Sequence, residues 1–228
     1  MHKIKMMNIE LLVLDMAGTT VDEDNVVYKT VMSSVNDYGY NVTLDKVLSV
    51  CAGMEKLEAI TSLLKEIGGN EEDALAIFEN FSDQLKKAYQ NLDVKPIHGV
   101  EDFLVKMRSE NKKVVLNTGY TSEIAQQLLD KLKWKENVHF DALITANDVS
   151  ESRPNPEMIF LAMKKFNISK PENVLKAGDS VIDIEEGKNA GCGLTIAVLS
   201  GAQSQSELEK SRPDYILNTI SEAEYILH

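Results

Sequence analysis

The chain has 228 residues, 43% of them hydrophobic and 26% charged, the proportions of an ordinary folded protein of one large domain, or of a core with a smaller inserted unit. Its net charge of -12 repels nucleic acid and anionic membranes, so neither is an expected partner. Cys51 and Cys192 lie far apart, His2, His98, His139 and His228 are scattered, and neither a signal-like run after His2, Lys3 and Lys5 nor an apolar stretch of about 18 residues occurs, which argues against disulfides and zinc and makes the cytoplasm the expected location.

From the start of the chain, Ile9 to Leu14 is apolar except for Glu10 and ends in Asp15; Met16 to Thr20 then contains Gly18 and two threonines. This pattern predicts a buried strand followed by a tight turn. From Val21 to Asn91 strand-like runs disappear. Val27, Val31 and Val35 mark one helix, Leu57, Ile60, Leu64 and Ile67 a second, and Leu75, Phe78 and Leu85 a third. So much helix between two strands exceeds a crossover connection. The expected arrangement is a core of residues 1–20 and 92–228 with a helical cap of residues 21–91, hinged at Val21 to Asn25 and Asp93 to Gly99. Glu71, Glu72 and Asp73 read as the acidic first turn of a cap helix.

Beyond the second hinge, short apolar runs recur at Val114 to Leu116, Ala142 to Ile144, Val174 to Leu175 and Thr195 to Leu199. Helical faces fall between them, one through Ile124, Leu128 and Leu132, another through Ile159, Ala162, Met163 and Phe166. Alternating helices and all-apolar strands predict an α/β fold, a parallel Rossmann-like sheet covered on both faces.

In such sheets ligands gather at the carboxyl ends of the strands. Asp15 ends the first strand, and Gly18, Thr19 and Thr20 offer N-H groups and hydroxyls to an anion. Thr118 and Gly119 follow the Val114 strand, Asp179 and Asp183 follow the Val174 strand, and Arg153 precedes the helix after Ala142 to Ile144. Asp15 and Asp179 can share a hard divalent metal, and magnesium suits few carboxylates plus substrate oxygens. The metal and Arg153 would offset the charge of an incoming phosphoryl group.

These elements, in the order Asp15-Met-Ala-Gly-Thr-Thr, Thr118, Arg153 and Gly178-Asp179-Ser-Val-Ile-Asp183, resemble the four motifs of the haloacid dehalogenase-like superfamily. The resemblance implies a Mg2+-dependent hydrolase in which Asp15 forms an aspartyl-phosphoryl intermediate. It implies that Thr118 and Arg153 hold the phosphoryl oxygens with Gly119 adding an N-H, that Asp15, the Ala17 carbonyl and Asp179 bind the metal, and that Asp183 supports the metal's waters. The substrate is then a small phosphonate or phosphate, and the enzyme a monomer or homodimer.

Ala17 departs from the superfamily's phosphatases, which carry there an aspartate serving as general acid and base, a function worth roughly 10² to 10⁴ in rate. Together with Arg153-Pro154-Asn155-Pro156, this motif is similar to that of the phosphonatase branch, whose members use a cap lysine as a Schiff base. Lys56, in Gly53-Met54-Glu55-Lys56, matches that spacing, whereas Ala59 stands where the branch carries a histidine. To attack a carbonyl its amine must fall from about 10.4 toward about 7 to 8 in pKa. Three readings of Lys56 remain open: Schiff base, contact to the substrate anion, or a solvated lysine. A phosphomonoesterase and a binding or regulatory protein that has lost turnover are the competing functions. Cys51 reads as a small buried hydrophobe and His98 as a turn residue.

Overall fold

A computed structural model describes residues 8–227; His2, Lys3, Lys5 and His228, named above, lie outside them. Six strands form one parallel sheet: β1 (Leu11–Asp15), β4 (Lys113–Asn117), β5 (Ala142–Ile144), β6 (Val174–Gly178), β7 (Leu194–Val198) and β8 (Tyr215–Leu217), in the order β5-β4-β1-β6-β7-β8. All five residues of β1 are buried. Successive side chains point to opposite faces, so Leu12 and Leu14 join one hydrophobic cluster and Leu11 and Val13 another. Helix α5 (Val100–Ser109) and helix α6 (Ser122–Leu132) cover the first face through Phe103, Leu104, Leu128 and Leu129. Helix α7 (Glu157–Lys165) covers the second through Met158, Ile159 and Ala162, joined by Ala190 of α8 (Val181–Ala190). Two-sided covering is why the central strands read as largely apolar runs, with Lys176 in β6 the charged exception.

Two short strands, β2 (Val21–Asp22) and β3 (Lys95–Pro96), pair antiparallel at the two expected hinges. Between them lie α1 (Val26–Asp37), α2 (Leu44–Cys51), α3 (Lys56–Glu66) and α4 (Ala74–Asn91). They bury Val27, Val31 and Val35 with Ile60, Leu63, Leu64, Ile77, Phe81 and Leu85.

The periodicity places the third cap helix and its Leu85 correctly but misplaces Leu75, with Phe78 only partly buried. Leu75 is 59% exposed, and α4 buries Leu85 together with Ala74, Ile77, Phe81 and Tyr89, the i, i+3, i+4 stripe of an amphipathic helix. Helix α2 escapes the pattern because only Val47 and Cys51 are buried on it. The acidic run Glu71–Asp73 forms a 3₁₀ turn leading into α4. Among the described residues no helix is long and apolar enough to cross a membrane.

Candidate active site

β1 is where the strand order reverses, with β4 on one side and β6 on the other, the position at which open α/β sheets form a crevice. The register pairs Asp15 with Asn117 and Leu14 with Ala177. The residues just past β1, β4 and β6 therefore meet at one sheet edge. Gly18 turns the chain there with φ +77, and a side chain in its place would run into the Asp179 carboxylate.

Asp15, Ala17, Tyr28, Gly53, Lys56, Thr118, Gly119, Tyr120, Arg153 and Asp179 line a cavity of about 10 Å³, room for about one water. Arg153 donates to the Asp15 carboxylate at 2.8 Å and also pairs with Asp183. Asp179 accepts the N-H of Ala202 at 2.6 Å, which fixes its carboxylate against the loop after β7. Asp15, Asp179 and Asp183 are buried and offer ligand oxygens within 4.8 Å of one another. Burial, then mutual repulsion, pushes Asp15 and Asp179 above the usual carboxylate range. Burial acts on Asp183 in the same direction, but Arg153 and Lys176 outweigh it and hold Asp183 low. Three crowded acids with oxygen donors alone suit a hard divalent cation, which would relieve that repulsion.

Beneath this edge, among the described residues, lies a charged network with no exposure. Lys176, in the middle of β6, pairs with Asp183 and Glu186 at 3.0 Å each and donates to the Asn117 side chain at 2.7 Å. The Asn117 amide in turn donates to Glu186 at 3.1 Å. This network carries Asp183 at the first turn of α8 and ties the ends of β4 and β6 together.

Lys56 enters the cavity from the first turn of α3. Its helix is capped by Glu55, whose carboxylate accepts the N-H groups of Leu57 and Glu58. Lys56 is only 7% exposed, so the solvated reading of this lysine is overturned. Its Nζ donates to the Met54 carbonyl and faces the rings of Tyr28 at 5.4 Å and Tyr120 at 5.9 Å. Burial first, and Arg153 second, lower its pKa.

Thr19 does not reach the cavity. It is fully buried, and its hydroxyl has no partner among the described residues. The N-H groups of Thr19, Thr20 and Val21 all donate to the Met16 carbonyl, so the turn closes on itself rather than offering them to an anion. The Thr20 hydroxyl is likewise engaged by the carbonyls of Asp15 and Met16. Cys51 is buried, and His98 lies in a turn.

Tyr28, Tyr120 and Glu23 escape the sequence reading, as do Lys176 and Glu186. One signal was available for Lys176: a lone charge inside the apolar strand Val174–Gly178 needs a buried partner, and Asp183 and Glu186 recur at helical spacing just beyond.

Residues 12–198 match the model of the haloacid dehalogenase-like hydrolase family. A curated phosphonoacetaldehyde hydrolase of Latilactobacillus sakei is 27% identical, with 97% of this chain and 96% of that protein covered. The one from Bacillus cytotoxicus is 28% identical over 90% of this chain and 81% of its own length. Among solved structures, a phosphonoacetaldehyde hydrolase-like protein from Oleispira antarctica superposes with a TM-score of 0.83 at 22% identity, covering 96% of this chain and 91% of that one. A predicted phosphoglycolate phosphatase from Haemophilus somnus gives 0.81 at 18%, covering 98% and 100%. These two likenesses speak to the fold.

Proposed function

This chain belongs to the haloacid dehalogenase-like hydrolase family, and on that premise we propose that it cleaves the carbon-phosphorus bond of a small phosphonate aldehyde, of the phosphonoacetaldehyde type. The observation that carries this reading is Lys56, a buried amine on the wall of the cavity that also holds Asp15, Arg153 and Asp179, in a site where Ala17 offers no acid. The curated relatives named as phosphonoacetaldehyde hydrolases support it.

In this reading the helical segment of residues 21–91 is a cap that encloses the substrate and excludes water. Arg153, Thr118 and Gly119 hold the phosphoryl oxygens. Lys56 attacks the aldehyde carbon, and the imine it forms draws electrons away from the neighbouring carbon. The Asp15 carboxylate attacks phosphorus, the carbon-phosphorus bond breaks, and its electron pair passes into an enamine on Lys56. Water then hydrolyses the aspartyl-phosphate to inorganic phosphate, while protonation and hydrolysis of the enamine release the aldehyde and return Lys56. Magnesium, held by Asp15, the Ala17 carbonyl and Asp179 with Asp183 supporting, would supply positive charge against the phosphoryl oxygens. An enamine leaving group needs no proton from position 17, which accounts for Ala17.

Ala59, where the phosphonatase branch carries histidine, favours a second reading, hydrolysis of a phosphomonoester with Lys56 contacting the substrate anion. Borohydride reduction in the presence of phosphonoacetaldehyde separates the two. The first reading expects a mass increase on the peptide holding Lys56; an unmodified Lys56 sinks it.

A further inference from the structure

Glu23, one residue past β2, is a buried carboxylate that the proposed chemistry leaves without a role. It is 3% exposed. The Tyr89 hydroxyl of α4 donates to one of its oxygens at 2.7 Å and the Tyr120 hydroxyl donates to the other at 3.0 Å. The Val27 N-H and the charge of Lys56 also face it. Tyr120 belongs to the Thr118-Gly119-Tyr120 loop, and its ring is one of the two that face Lys56 Nζ. Among the groups that bear electrostatically on Lys56 are Arg153, Cys51, Glu55 and Glu23. Glu55, which also caps α3, and Glu23 both pull the Lys56 pKa upward, and Glu23 is the one joined to the amine's surroundings through the buried Tyr120 hydroxyl.

We propose that Glu23 is a positioning residue for Lys56: acting through Tyr120, it holds the ring against the amine and supplies the proton, then the counter-charge, that imine formation on Lys56 requires. The inference rests on the reading of Lys56 as the Schiff-base residue. An aldehyde adds to the neutral amine, and loss of water from the adduct consumes one proton. With Glu23 protonated the hydrogen bond to Tyr120 reverses: the Tyr120 hydroxyl accepts the Glu23 proton as its own proton passes to the departing water, leaving the Glu23 carboxylate. The cationic imine then faces a Glu23 carboxylate, and hydrolysis of the final imine returns the proton. Ala17 and Ala59 provide no alternative acid. Burial favours the neutral form of both partners, raising Glu23 to about 7 against the pull of the two tyrosine hydroxyls and lowering Lys56.

The test is a carbon NMR titration of protein labelled at the lysine ε-carbons, in the wild type, Glu23→Gln and Tyr120→Phe, with Lys56→Arg assigning the resonance. Glutamine keeps the shape and removes the charge, so Lys56 is expected to titrate lower than in the wild type. Tyr120→Phe is expected to move it the same way and serves if Glu23→Gln does not fold. Borohydride trapping of phosphonoacetaldehyde on Lys56 is expected to slow about tenfold or more in Glu23→Gln. Lys56 titrating at one pH in all three proteins overturns the proposal. A shifted Lys56 with no trapping in the wild type instead contradicts the Schiff-base reading, leaving the control of the amine by Glu23 intact.

Discussion

Lys176 and Asp183 face each other at 3.0 Å with neither side chain exposed to solvent. The lysine interrupts an apolar strand, and the carboxylate belongs to the acidic cluster beside Asp15. Its charge also answers Glu186. Removing one partner of a buried pair leaves the others unpaired, which costs roughly 3 to 5 kcal/mol. Lys176→Met is therefore expected to lower the unfolding free energy by about that amount in a urea titration, although residue 176 does not line the cavity.

Gly178 closes β6 where the Asp183 side chain folds back over it, and a Cβ at this position would overlap that carboxylate. Gly178→Ala is expected to displace Asp183 from Arg153 and Lys176, lowering phosphate release by about tenfold or more while the far-ultraviolet circular dichroism is kept.

The crowding of Asp15, Asp179 and Asp183 makes stability depend on cations. Magnesium at about 100 times its dissociation constant is expected to stabilise the wild type by about 2.7 kcal/mol. Asp179→Asn removes one buried like charge, so this variant is expected to be more stable than the wild type in EDTA and to gain little on adding magnesium. Scanning calorimetry with and without magnesium checks both halves.

Glu23 sets a pH dependence of its own. Its folded pKa of about 7 lies above the ordinary 4.5, so between these values the folded state holds more protons than the unfolded one. Its contribution is complete below pH 4.5 and is lost as pH rises through about 7. At about 1.4 kcal/mol per unit the loss approaches roughly 3 kcal/mol. Unfolding titrations from acid to mildly alkaline pH are expected to show the wild type falling relative to Glu23→Gln across that window, a slope that a solvated carboxylate would not produce.

The central strands and the elements around Asp15, Thr118, Arg153 and Asp179 were legible because their signals are local. A strand buried on both faces is apolar except where a buried partner answers a charge, as at Lys176, and the residues that end it are neighbours in the chain. The partners of Glu23 were not legible, since Tyr89 and Tyr120 lie 66 and 97 residues away and only the packing of α4 and the loop after β4 brings them together. Lys56 was legible as a residue but not in its surroundings. The spacing marked it as a candidate and left three roles open; its enclosure by the two tyrosine rings, which removes the solvated one, comes only from the packing. Thr19 shows the opposite failure: a hydroxyl next to the proposed nucleophile looked available, and the turn directs it into the interior.

The most direct measurement is inorganic phosphate release, with magnesium, from phosphonoacetaldehyde and from a panel of phosphomonoesters, for the wild type, Lys56→Ala and Asp15→Asn. Release from the phosphonate that is lost in both variants is the expected result. Release from esters alone, lost in Asp15→Asn and kept in Lys56→Ala, would contradict the account and make this chain a phosphatase.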